Sequence, residues 1–142
     1  MPKIDFYVTK NTSPQFALRT ACRIAEKAHQ AGLRVHIQTR NDSDTQTLDT
    51  LLWTFRDRSF IPHEIYPTSA VTCPVTIGTE NGPAEAEILI NTSDQVPENT
   101  KNYQRIAEII DHQTESIHAG RERYRFYREQ GFEPQHHEVS SS

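Results

Sequence analysis

Glycine and cysteine are both scarce in this chain, with five and two residues in 142. Scarce glycine matters first, because turns that cradle phosphate are built from it. No Walker A pattern occurs, and the turn after the first apolar run, Lys10-Asn11-Thr12-Ser13-Pro14, has no glycine that would let a pyrophosphate approach the backbone. Gly78 and Gly82 flank a Thr-Glu-Asn turn whose acid would repel phosphate. Cys22 and Cys73 make neither a disulfide framework nor a metal-ligand pair spacing. No apolar run approaches the roughly 18 residues of a membrane span, and the N-terminus lacks the apolar core of a signal peptide. A soluble, cytoplasmic protein is expected. An excess of positive charge is also missing: the net charge of −4 argues against a general nucleic-acid binder. No Ser, Cys or acid sits in a nucleophile motif, and His63, His112 and His118 are far apart. No catalytic residue, metal or cofactor is therefore expected. The competing class, a small-molecule or nucleotide-binding enzyme, would need a phosphate turn or a convergent acid–base pair.

What is present reads as one α/β domain. Ile4 to Thr9 is a β-branched and aromatic run suited to a first strand. Ser13-Pro14 starts a helix with an N-cap and Pro at the first helical position, carried by Ala17, Ala21, Ile24, Ala25 and Ala28 and closed by Gly32. Leu33 to Gln38 is a second strand, so the spacing predicts a βαβ unit with the two strands as a parallel pair. A second helix is expected over Thr47 to Phe55, followed by strands at 64–66, 75–77, 87–91 and 105–111 and a closing helix from near Gln113. The order implies a single-domain Rossmann-like fold in three layers, with a mostly parallel central sheet and helices on both faces. Residues 1–132 form the domain in this reading. Residues 133–142, containing the metal-like run His136-His137-Glu138, read as a flexible C-terminal tail.

The closing helix carries the main functional candidate. Arg121, Tyr124, Arg125 and Arg128 share one narrow sector of a helical wheel, with Tyr124, Tyr127 and Gly131 on the flank that can face a core. Glu122 and Glu129 fall on the other side and are not expected to neutralise the stripe. A tyrosine edge beside guanidinium groups suits an apolar side chain next to a carboxylate. The alternative is a solvated helix face. A second candidate is the group around Trp53, the only tryptophan, which either closes the core or anchors a partner.

Several stretches, taken in order, resemble the chi subunit family of the bacterial DNA polymerase III holoenzyme. They are Asp5-Phe6-Tyr7, Arg23-Ile24-Ala25-Glu26-Lys27-Ala28, Ala31-Gly32-Leu33-Arg34-Val35, Leu52-Trp53, Ser59-Phe60-Ile61-Pro62-His63 and Ile88-Leu89-Ile90-Asn91. Arg121-Glu122-Arg123-Tyr124, Tyr127-Arg128 and Gly131-Phe132 complete the series. The resemblance implies a non-catalytic adaptor in DNA replication, meeting DNA only indirectly. It implies binding of the acidic, Phe-terminated C-terminal tail of the single-stranded DNA-binding protein, and pairing with the psi subunit of the clamp loader. Carried over by motif, Arg121, Tyr124 and Arg125, with Arg128 of the same stripe, form the tail-binding site, and Ile110 or a neighbour lines its apolar pocket. Arg125 stands where the family commonly has Lys. Leu52, Trp53, Phe60 and Pro62 would form the psi-facing surface.

Overall fold

The structure is a computed structural model that describes residues 2–10, 15–54 and 61–139. Strand β1 spans Lys3–Thr9, helix α1 Phe16–Gln30, β2 Val35–Gln38 and helix α2 Asp42–Thr54. Strands β3 (His63–Ile65), β4 (Val75–Gly78), β5 (Ile88–Asn91) and β6 (Arg105–Ile110) follow, then helix α3 (Thr114–Glu129) and strand β7 (Gln135–Val139). The seven strands form one sheet in the order β3-β4-β2-β5-β6-β1-β7. Every ladder is parallel. The Rossmann-like α/β class read from the sequence is the fold observed.

Strand periodicity sorts the core onto two faces. Val35, Ile37, Val75, Ile77, Ile88, Ile90, Ala107 and Ile109 point to one side, where Leu18, Ala21, Cys22 and Ala25 of α1 and Leu48, Leu51 and Leu52 of α2 cover them. Small residues on α1 let that helix lie close to the strands. Burial pushes the Cys22 thiol up to about 12, so it is a packing group with no thiolate to offer at neutral pH. Ile4, Phe6, Leu89, Ile106 and Ile110 point to the opposite side and meet Tyr127 of α3 and Phe132 beyond it.

Three expectations change. First, β1 and β2 are not neighbours: β6 and β5 lie between them, because both edges of β1 are taken by β6 and β7. The α1 crossover therefore spans β5 and β6, which it contacts. Second, α2 begins at Asp42 rather than Thr47. Asn41 Oδ1 accepts the Asp44 backbone N–H at 2.8 Å, and Asp42 and Asp44 sit in the first turn, where the helix dipole favours acids.

Third, Gln135–Val139 is a strand and not a floppy tail. It pairs with β1, its Val139 carbonyl accepts the Lys10 N–H at 2.9 Å, and His137 stacks on Tyr7 with ring centroids 4.9 Å apart. As strand residues, His136 and Glu138 face away from His137, so the metal-like run does not converge. Among the described residues no group of three His, Cys, Asp or Glu is placed to hold a metal ion. None of the described helices is long and apolar enough to cross a membrane. The Ser13-Pro14 helix start and Phe60 lie outside the described residues.

Candidate functional site

Helix α3 is held to the sheet by a buried ionic cluster. Glu108, in the middle of β6, is fully enclosed. Its carboxylate accepts Arg123 Nε–H at 2.8 Å, the Tyr127 hydroxyl at 2.6 Å and Asn91 Nδ2–H at 3.0 and 3.2 Å. Burial, and then the Glu108 charge, hold the Tyr127 phenol far above its ordinary range, so it stays a donor. The buried stripe of α3 is Ser116, Gly120, Arg123 and Tyr127, at helical spacing. That stripe sets the roll of the helix. Gly131, just past the C-terminus, takes φ of 92°, a left-handed cap that glycine adopts without a Cβ clash.

With the roll fixed, the neighbouring stripe of α3 faces an open pocket of about 340 Å³ between the helix and the β1/β7 end of the sheet. Phe6, Val8, Ile110 and Ile117 make its apolar interior. Tyr124 forms a wall, its ring 5.3 Å from that of Phe6. Gly120 has no side chain to fill the space over Ile110; a Cβ there would stand 2.6 Å from Ile110 Cδ1. Arg121, Lys10 and His136 complete the lining. The pocket thus unites an apolar depth, an aromatic wall and cationic edges. Ile110, Arg121 and Tyr124, singled out from the sequence, come together in it.

Arg125 and Arg128 do not line it. Arg125 is further round the helix and pairs with Glu122 at 3.3 Å, so Glu122 does partly neutralise the stripe, contrary to expectation. Both side chains are more than half exposed, and such a pair contributes little.

The sheet's own ligand crevice, at the carboxyl ends of the strands, is a poor alternative. It holds about 40 Å³ of space among Arg40, Asp44, Asp94 and Asp111. Arg40 spans it, 3.4 Å from Asp44 and 3.9 Å from Asp111. A larger cavity of about 520 Å³ lies between α1 and the other face of β1 and β6, edged by Arg23, Lys27 and Arg105. Neither contains a residue to which the sequence reading gave a binding role.

Residues 1–135 match the sequence model of the family described as DNA polymerase III chi subunit, HolC. The chain belongs to the DNA polymerase III chi subunit family. It is 36% identical over 140 residues to the DNA polymerase III subunit chi of Pseudomonas aeruginosa, covering 98% of each chain. Identity to the subunit chi of Escherichia coli K12 is 23% over 139 residues, covering 93% of this chain and 95% of the relative. The subunit chi of Haemophilus influenzae is also 23% identical, over 136 residues.

The residues of the second surface suggested by the chi resemblance are not all exposed. Leu52 is wholly enclosed in the core beneath α2, where helical spacing puts it with Leu48 and Leu51, so it is not a surface contact. Trp53, one residue on, turns outward and is 47% exposed, its ring 4.4 Å from that of His63. Pro62 is half-buried.

The signal missed in the sequence was Glu108. A carboxylate within Ile106-Ala107-Glu108-Ile109-Ile110, on a buried strand, requires a cationic partner, and Arg123 with Tyr127 one helical turn on supplies one.

Proposed function

We infer that this chi family member is a non-catalytic adaptor of the polymerase III holoenzyme. Its α3 pocket takes the acidic, Phe-terminated C-terminal tail of the single-stranded DNA-binding protein. The outward face around Trp53 and Pro62 meets the psi subunit and so links the chain to the clamp loader. In the cell it works at the replisome. The observation that carries the reading is the pocket itself: Ile110, Ile117 and Phe6 offer an apolar berth for a terminal aromatic ring, with Arg121 beside it. A guanidinium binds a terminal carboxylate through charge-assisted hydrogen bonds worth roughly 1.5–3 kcal/mol each. Tyr124 supplies a wall for the ring. The nucleotide-enzyme alternative draws no support from the carboxyl-end crevice, which is small and lined by three acids beside Arg40.

The test is fluorescence anisotropy with a labelled acidic peptide ending in Phe. Arg121→Glu should weaken binding at least tenfold, or about 1.4 kcal/mol, since it removes the bond and adds repulsion. Deleting the terminal Phe should cost a comparable amount. Unchanged affinity for Arg121→Glu would place the peptide elsewhere.

A further inference from the structure

Strand β7 and the end of β1 bring a second set of polar groups to the pocket, on the wall opposite α3. His136 and Lys10 line the cavity from β7 and from the end of β1. The wall is built rather than incidental. His136 is in register with Phe6 and Glu138 with Val8, so both project toward α3. The intervening His137 points to the other face, where its Nε2 lies 2.9 Å from Asp5 Oδ1 and its ring stacks on Tyr7. That anchorage holds His136 at the pocket.

The geometry points to a division of labour in the ligand: Arg121 receives the terminal carboxylate, and Lys10 with His136 receives acidic side chains just upstream. This rests on the tail-binding reading above. Arg121 adjoins Gly120, over Ile110 in the apolar depth, where the terminal residue's own carboxylate must lie. Preceding residues then run toward the β1/β7 wall. Glu138 restrains that wall, since its carboxylate lies 3.4 Å from Lys10 Nζ, with the two side chains 60% and 55% exposed. An exposed pair of this kind is weak, so a ligand carboxylate can displace Glu138 from Lys10.

Among the described residues, the charged and polar groups around His136 are Lys10 just past β1, Glu138 on its own strand, and Arg121 and Tyr124 on α3.

Anisotropy on the full chain tests this with two synthetic peptides, both ending in Phe with a free carboxylate. One carries aspartates upstream and the other asparagines. With the aspartate peptide, Lys10→Gln and His136→Gln each weaken binding ~2–5-fold, and Glu138→Gln strengthens it by a similar factor, the range of exposed ion pairs. With the asparagine peptide these three variants bind as wild type does, while Arg121→Glu still binds poorly. If the three variants match wild type on the aspartate peptide while Arg121→Glu is impaired, the second wall is wrong and the tail site stands. If Arg121→Glu also matches wild type, the tail-binding reading fails and this inference fails with it.

Discussion

Removing the Arg123 guanidinium while keeping its length, as in Arg123→Met, exposes how α3 is held. In the wild type Glu108 has no exposure, and Arg123 has 1%. Each has lost its hydration, and their 2.8 Å contact replaces it. In the variant the Glu108 carboxylate keeps only the Tyr127 hydroxyl and the Asn91 amide, two neutral donors. Breaking a buried pair by deleting one partner costs about 3–5 kcal/mol, because the other charge stays buried without compensation. Neutralising both partners, Glu108→Gln with Arg123→Met, removes the stranded charge. The double variant should recover most of the loss and leave a deficit of about 1 kcal/mol, since a buried pair and a neutral packing are close in energy. Urea denaturation followed by circular dichroism measures both, compared at equal slope. A loss under about 1 kcal/mol for Arg123→Met, or a double variant as unstable as the single, would refute the argument that the charge pair clamps α3.

Three further perturbations follow from other features of the fold. Gly120→Ala places a methyl 2.6 Å from Ile110 Cδ1, a flexible side-chain end. The helix gains up to about 1 kcal/mol of propensity while Ile110 is pushed into the pocket, so melting temperature should hold as peptide affinity falls several-fold. His36 is enclosed, with Nε2–H donating to the Glu80 carbonyl at 2.9 Å, and burial lowers its pKa from 6.5 to about 4. The unfolded chain then binds the proton first. Stability is fully present above pH 6.5 and lost as pH falls toward 4, by on the order of 3 kcal/mol, and His36→Gln should flatten that slope in urea titrations. Trp53→Ala should weaken a complex with the psi subunit by about 2 kcal/mol in calorimetry, with a much smaller effect on the half-exposed side chain's own domain.

The sequence carried the strands and the class of the fold well, because buried parallel strands write themselves as apolar runs such as Ile88-Leu89-Ile90. Strand β7 was illegible for the opposite reason. At a sheet edge, Gln135 to Glu138 are exposed and polar, and backbone pairing with β1 holds them, which leaves no apolar pattern. Neighbourhood in the sheet was equally hidden. Adjacent elements in the chain suggested β1 beside β2, whereas α1 crosses two strands.

On α3, the wheel gave angular neighbours and put Tyr127 on the flank that can face a core, but it did not find Arg123 in the buried stripe. Nothing local to the helix marks Arg123 as buried, and its partner Glu108 on β6 turns it inward. That inward turn decides the rest. It brings Arg121 and Tyr124 to the pocket and leaves Arg125 with Glu122. The contribution of Gly120 depends on Ile110 packing against it and has no local signature.

Amide chemical-shift mapping on the labelled chain, titrated with the acidic Phe-terminated peptide, tests the assignment of the ligand to α3 most directly. Saturable shifts should concentrate at Ile110, Ile117, Gly120, Arg121 and Tyr124, which surround one pocket. Shifts centred instead on Arg23, Lys27 and Arg105, around the larger cavity beside α1, would contradict it.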